Sequence, residues 1–548
     1  MNKLWKRVLN VGLSAAMVLG LAVVGQPGSG VHAAEAEKMI YSNGGPEEFF
    51  ETPWLNPGTY TYTKVLYSHL IVADENLAPI PDHPDALATY EYSEDGKTLT
   101  FTLRDDAFWH NGEQITADDI KWSIEYVAKT AVCNPVFLST FKAIKGAVDA
   151  DGNINETFEG IAVDGQTLTI TFDTIAPDAL LTFTQFAPVP KSEFEGVDPL
   201  QVQQAEYFQH PIGSGPFMVE EVNMKNYTIL APFDKYYNGV ADFKIQLLPS
   251  AGDSDANLVT RAKSGNLDYG YTKSIADVQA LEGTEGINIS PVDVRYTRLL
   301  YMNKFNKKDG TPSPLADVRV RQAIRYAIDM KTICETLFQG AAVPADVLIP
   351  GANDKAEGLN QYEYNPEKAK ELLAEAEWDS NTKIKTVYYY TDQATVDLMT
   401  AIQAYLAQVG ITMEFELVEG DLATILWSAP ADQTNGPSAV DWDMCYAANA
   451  ALSLHEYYDR YRTGSPTNSH TPEDEELNKL IDATNASADV NDQLEAFKAL
   501  TQYENESVFT YALYYQPIFM ITSDKVGDIL QGNPQFCYNW DIQNWDIQ

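Results

Sequence analysis

The chain has 548 residues, of which 78 are Asp or Glu and 37 are Lys or Arg, for a formal net charge of −41. So acidic a surface repels nucleic-acid phosphates and anionic lipid, which excludes those partners and leaves the ligand open. The length allows two or three domains around a large core, and a hydrophobic content of 45% is ordinary for a globular protein.

Lys3, Lys6 and Arg7 precede Val11 to Val24, a run of 14 residues without a charge, and small residues follow at Ala33, Ala34 and Ala36. This is the pattern of an export signal over residues 1–36, and the run is shorter than the ~20 apolar residues a membrane span needs. The expectation is an exported protein, periplasmic or extracellular, with the leader removed. Cys133, Cys334, Cys445 and Cys537 are far apart and form no C-x-x-C, so zinc clusters and dithiol redox motifs are not expected. One or two disulfides, or four buried thiols, fit equally well.

Between residues 85 and 180 two passages share one design. "SEDGKTLTFTLR" turns at Asp95-Gly96 and alternates Leu99, Phe101 and Leu103; "VDGQTLTITFD" turns at Asp164-Gly165 and alternates Leu168, Ile170 and Phe172. Each reads as a half-buried strand after a tight turn. Thr116 then caps a helix, with Asp118 and Asp119 at its positive end and Ile120, Ile124 and Val127 on one face. His110, Glu113, Asp118 and Asp119 lie within ten positions, which raises the question of a metal or acid–base site. One histidine with one glutamate on a turn supplies too few ligands for zinc or nickel. His69, His83, His210, His455 and His470 are isolated, so no metal site and no cofactor are expected.

"DVRVRQAIRYAIDMKTICETLF" predicts a helix through Val320, Ala323, Ile324, Ala327 and Ile328. "NPEKAKELLAEAEW" predicts another, capped by Asn365 with Pro366 in its first turn. "IKTVYYY" and "ITMEFELV" read as strands around the helix "ATVDLMTAIQAYLAQVG", an α/β order. Two acidic amphipathic helices follow, and then a strand-like tail, "FTYALYYQPIFMITSD". There is no G-x-S-x-G, and "GSGPF" lacks the lysine and spacing of a P-loop. Carboxylates are too numerous to single out a glycosidase pair. A secreted hydrolase is therefore the weaker reading.

Four passages in register resemble the large solute-binding proteins of ABC importers, the oligopeptide, dipeptide and nickel-binding family. They are "DGKTLTFTLRDDAFWHNGEQITADDIKWSIEY", "HPIGSGPFMVEE", "SPLADVRVRQAIRYAID" and "YNPEKAKELLAEA". The resemblance covers roughly residues 40–548. It implies a mixed α/β (α+β) fold: a two-lobed, periplasmic-binding-protein-like clamp with an extra β-rich subdomain in lobe I. The segments would be 37–74, 180–290 and 510–548 for lobe I, 75–179 for the inserted subdomain and 291–509 for lobe II. His110 would then be scaffold. The resemblance further implies a non-enzymatic monomer that captures an oligopeptide or related solute by hinge closure and delivers it to membrane permease subunits. A non-peptide ligand, an oligosaccharide or a nickel chelate, is the alternative.

By the same resemblance the loop "GTYTYTK" offers Thr59, Tyr60, Thr61 and Tyr62, which would lie along an extended ligand. "LDYGYTKS" offers Tyr271 and Thr272, "YTRLLYMN" offers Arg298 and Tyr301, and "WDMCYAANAAL" offers Tyr446 and Asn449. Tyrosine suits a permissive cleft because it pairs wide apolar contact with one polar tip. Two departures stand out. The Asp with which peptide binders hold a free α-amino group falls near Leu452, and no acid follows until Glu456. The first cysteine is Cys133, so no lipid anchor is expected.

Overall fold

The computed structural model describes residues 38–55, 62–74, 77–250, 255–527 and 541–548. The expected leader over residues 1–36, and Thr59, Tyr60, Thr61 and Cys537, lie outside the described residues. Three larger sheets and one two-stranded pair, Val72–Ala73 with Pro79–Ile80, organise the described residues. Seven strands form the first, in the order Ile287–Val292, Ile518–Ser523, Tyr269–Thr272, Lys38–Gly45, Phe243–Pro249, Tyr227–Pro232, Phe217–Asn223. Six form the second: Val343–Pro344, Thr510–Tyr515, Tyr296–Met302, Met444–Ala450, Lys383–Tyr388, Thr412–Leu417. The third has four: Ala88–Tyr92, Thr98–Leu103, Thr167–Thr171, Ile161–Asp164.

The four-stranded sheet contains both alternating passages, paired antiparallel so that Leu99 faces Ile170 and Phe101 faces Leu168. Those four side chains are fully buried, and each contributes roughly 1.5–3 kcal/mol of transfer free energy. The helix Ala117–Val127 starts at a complete capping box: Thr116 Oγ1 accepts from the Asp119 amide, and Asp119 Oδ2 accepts from the Thr116 amide at 2.9 Å. Its Ile120, Ile124 and Val127 are buried against the same core.

The six-stranded sheet has the α/β order expected of it. Lys383–Tyr388 and Thr412–Leu417 pair parallel, and the helix Gln393–Gln408 connects them. Asn365 caps Pro366–Glu375 by accepting from the Lys368 amide. The single helix expected from Val320 onward is two, Val318–Ala327 and Met330–Thr336. Ile328 is extended between them, and Asp329 begins a second helix by accepting from the Thr332 amide. A short acidic side chain that can bond the backbone ahead of it favours such a restart over continuing the turn.

The chain passes between the two large sheets twice, from Val292 to Tyr296 and from Tyr515 to Ile518. The expected segment ends do not coincide with these crossings. Pro291 and Val292 still pair with the seven-stranded sheet, opposite Phe519 and Ile518. Thr510–Tyr515, grouped by sequence with the tail, lies inside the six-stranded sheet beside Tyr296–Met302. Tyr511, Ala512, Leu513 and Tyr514 are all buried, which requires packing on both faces and neighbours on both edges. Among the described residues of the tail, the strand after Tyr515 returns to the first sheet.

Candidate ligand-binding site

His110 has a defined structural task. Its Nδ1 accepts from the Gly213 amide at 3.1 Å, so Nε2 carries the proton and donates to the Gly215 carbonyl at 3.0 Å. Burial lowers its pKa to about 4, against a smaller opposing effect of the Gly215 bond, so the ring is neutral near pH 7. The glycines explain the turn it holds: a Cβ at Gly213 or Gly215 would collide with the Leu66 or Val65 carbonyl. Among the described residues no group of three or more His, Cys, Asp or Glu is placed to hold a metal ion. Cys133, Cys334 and Cys445 are buried free thiols.

The strand Tyr296–Met302 starts where the chain first enters the six-stranded sheet, and its side chains alternate between two faces. Arg298 pairs across to Ala448 and to Tyr514, and it shares its face with Tyr446. Its guanidinium carbon lies 4.5 Å from the centre of the Tyr390 ring, 5.2 Å from Tyr296 and 5.9 Å from Tyr446. Nε and Nη1 are buried and find no acceptor among the described residues. A cation over an aromatic face gains ~0.5–2 kcal/mol. A buried donor left unpaired costs about 1–3 kcal/mol, and more when charged. The rings therefore reduce the cost of this charge without replacing an acceptor.

The phenols around Arg298 are joined in pairs: Tyr389 to Tyr390 at 3.0 Å and Tyr446 to Tyr514 at 2.9 Å. Lys273, from the turn after Tyr269–Thr272 of the seven-stranded sheet, places its Nζ 5.2 Å from the Tyr296 ring centre. Its carbonyl accepts from Gln516 Nε2 in the second crossing. Both sheets and both crossings thus meet around Tyr296 and Arg298.

The other expected site residues are dispersed. Tyr62 is buried in the first core, the one that also takes in Leu99, Phe101 and Ile120, edge-on to Phe50, with its hydroxyl accepting from the Glu51 amide. Tyr271 is half-buried and bonds the Tyr269 hydroxyl at 2.8 Å. Thr272 is buried, donating to Asp277 and accepting from the Ser274 amide at the start of the helix Ile275–Leu281. Tyr301 faces away from Arg298 and packs on Trp427, Tyr461 and His470 in a different core. Asn449 pairs with Thr297 and also lies on the face opposite Arg298. The sequence reading missed Tyr296, Tyr389, Tyr390 and Tyr514. The signal was the run "YYY" at the end of a predicted strand, where side chains leave the sheet.

A second cluster links distant parts of the chain. His455 Nδ1 lies 3.1 Å from Asp178 Oδ1, and its Nε2 lies 3.1 Å from the Thr484 carbonyl. Asp178 precedes the helix Ala179–Gln185, which packs with the first core, whereas His455 follows the strand Met444–Ala450 of the six-stranded sheet. Burial alone would depress His455; the Asp178 carboxylate overrides it and raises the pKa to about 9. Glu456 Oε2 accepts from the Leu452 amide at 2.6 Å and the Ser453 amide at 3.0 Å. Burial still pushes that carboxyl up to about 7.

Residues 83–471 match the bacterial extracellular solute-binding proteins, family 5 Middle. The chain belongs to this family. Its relatives include the dipeptide-binding protein of Escherichia coli K12, 27% identical over 66% of this chain and 67% of the relative. The oligopeptide-binding protein AppA of Bacillus subtilis is 24% identical over 82% and 81%. Putative ABC transporter peptide-binding proteins of Brucella are 27% identical, and the match spans 64% of their length. In fold, the family-5 chain is similar to a putative peptide binding protein AppA from Clostridium difficile, with TM-score 0.75, 19% identity, and 93% and 100% of the two chains covered. It is also similar to NikZ from Campylobacter jejuni, solved with Ni(L-His), with TM-score 0.69, 17% identity, and coverage of 93% and 100%. The mixed α/β fold with several sheets agrees with that expected from sequence. Among the described residues no helix is long and apolar enough to cross a membrane.

Proposed function

We propose that this protein is the exported binding component of an ABC importer, capturing oligopeptides or related small solutes and presenting them to a membrane permease. The observation that carries the reading is the convergence of both sheets and both crossings on Tyr296 and Arg298. A solute seated there would touch both bodies, so its binding energy would favour the closed arrangement that a permease recognises. In this reading one lobe spans residues 296–515, and the other holds the rest, with the four-stranded sheet as its subdomain. Arg298 and Tyr390 are the wall residues we assign to the cleft. Thr59, Tyr60 and Thr61 are proposed to lie along the ligand.

Native mass spectrometry of the purified protein tests this. We expect a small molecule that co-purifies in one-to-one stoichiometry and is released intact on denaturation. Turnover of peptide or glycan substrates by the pure protein overturns the reading in favour of a hydrolase.

A further inference from the structure

We infer that Arg298 is the anion-recognition point of the cleft, and that the solute carries a carboxylate which the guanidinium and the neighbouring phenols hold together. This rests on the binding reading above and names the chemistry of its ligand.

The argument begins with what Arg298 lacks. A guanidinium presents five N–H donors and cannot be neutralised by giving up its proton. In this chain acids outnumber bases by about two to one, 78 to 37, so an acidic partner is easy to supply. Two other buried or partly buried arginines, Arg321 and Arg261, have acceptors, whereas Arg325 Nε and Arg460 Nη1 are, like Nε and Nη1 of Arg298, buried without one. Arg321 donates to the carbonyls of Leu315, Ala316, Ser507 and Val508, and Arg261 pairs with Asp255. Arg298 has neither kind of partner among the described residues: Nε and Nη1 are sealed from water and unbonded.

What surrounds Arg298 suits a visiting anion. Tyr296, Tyr390 and Tyr446 face the cation with their rings, which desolvates it and fixes its direction without neutralising it. The bonded pairs Tyr389–Tyr390 and Tyr446–Tyr514 each hold two phenol protons and use one in the bond between them. One O–H in each pair is left to donate elsewhere. Tyrosine hydroxyls stay neutral near pH 7, and burial raises the pKa of Tyr389 and Tyr446 further, so these groups act as donors. A planar carboxylate matches a guanidinium with two parallel charge-assisted bonds. An uncharged amide in the same place would accept fewer and weaker bonds.

The test uses a defined set of tri- to hexapeptides with free N-termini, each made as the C-terminal acid and as the C-terminal amide, together with acetate, succinate and citrate. Retention by the full-length protein is read by native mass spectrometry and the affinities by calorimetry. For wild type we expect acids to bind at least tenfold tighter than their amides. Arg298→Gln should bring that ratio to within about threefold, and Arg298→Lys, which keeps the charge but loses the fork, should leave an intermediate ratio. The acid-to-amide ratio separates recognition from a merely structural role, which would lower both affinities together; far-UV circular dichroism and the thermal midpoint establish that each variant folds. Equal binding of acids and amides by wild type overturns the inference, and so does an unchanged ratio in Arg298→Gln. In both cases peptide binding itself would still stand. Failure of every carboxylate to bind also overturns it, and if the amides fail as well, the peptide-binding reading falls with it.

Discussion

His110 shows how a residue that looks chemical can be accounted for by two backbone bonds. Its ring accepts from Gly213 and donates to Gly215, bracing a turn whose glycines are needed because carbonyls of residues 65 and 66 approach them closely. His110→Ala leaves a buried amide and a buried carbonyl unpaired, so we expect about 2–3 kcal/mol of destabilisation at pH 7, measured by urea unfolding. The pH dependence is specific. A histidine whose folded pKa is depressed contributes nothing unfavourable above the unfolded value of 6.5. It becomes a liability as pH falls towards about 4, because the unfolded state binds the proton first. At pH 5 that liability is about 2 kcal/mol, from 1.5 units at ~1.4 kcal/mol each. The alanine variant lacks it, so the gap between variant and wild type should narrow on moving from pH 7 to pH 5. A gap that widens instead would mean the imidazolium is stabilised in the fold, contrary to this assignment. Solute binding should be unaffected at pH 7.

Among elements, the contact between the approach to the helix Ala179–Gln185 and the segment after Met444–Ala450 joins the two parts that the proposed closure would bring together. Asp178 and His455 meet there, and Gln493 Nε2 also donates to the Pro177 carbonyl. Breaking a largely buried ion pair by removing one partner costs on the order of 3 kcal/mol. His455→Gln and Asp178→Asn should therefore weaken the closed arrangement, seen as a larger radius of gyration in small-angle scattering and as several-fold weaker solute binding. The sign with pH follows from both partners. The His455 pKa is raised, so its contribution is full below 6.5 and fades as pH rises through about 9. The Asp178 pKa is net lowered: burial acts to raise it, and the His455 charge and hydrogen bond outweigh that. Its contribution is full above 3.8 and is lost in stronger acid. Closure assisted by the pair is thus greatest between about pH 4 and 6.5. Glu456 titrates near 7 with the opposite tendency, its charged form being penalised by burial, and Arg295, Asp354 and Asp459 lie in the same field. The informative quantity is therefore the difference between wild type and His455→Gln across pH. If that difference stays constant from pH 5 to pH 9, the pair does not hold the two parts together.

Elements of this kind were legible in the sequence where local chemistry decides the outcome. Thr116 with Asp119, and Asn365 with Pro366, place helix starts because caps bond neighbours only a few residues away. Leu99, Phe101 and Leu103 place a strand because alternation is a property of the chain itself. Sheet membership is not local, which is why Thr510–Tyr515 was grouped with the tail although it pairs with a strand more than 200 residues earlier. The cluster around Arg298 was half legible for the same reason. Arg298 and Tyr301 sit three residues apart on one strand, so their parity already places them on opposite faces. The contributions of Tyr390, Tyr514 and Lys273 depend on pairings between distant segments, and so does the meeting of Asp178 with His455.

For the whole molecule, the net charge of −41 and the chemistry of the proposed cleft would favour different ends of a peptide ligand. A strongly acidic surface attracts cationic groups at long range, which is an effect on encounter and is screened by salt. Holding an α-amino group in the closed cleft requires a carboxylate within bonding distance, because a buried ammonium without one costs several kcal/mol. Leu452, where an anchoring acid was expected to be missing, is a buried apolar side chain. Glu456, the next acid along the chain, already accepts two backbone amides, from Leu452 and Ser453. Diverting it to a ligand would leave those amides unpaired. We therefore predict that N-acetylation of an oligopeptide changes its affinity by less than about threefold, under 1 kcal/mol. One peptide, free and acetylated, compared by calorimetry at a single pH and salt concentration, decides the matter. If the free form binds more than ~30-fold tighter, about 2 kcal/mol, a carboxylate does hold the amine. Glu456→Gln and Asp459→Asn would then show which, by abolishing that preference while sparing the acid-to-amide selectivity assigned to Arg298.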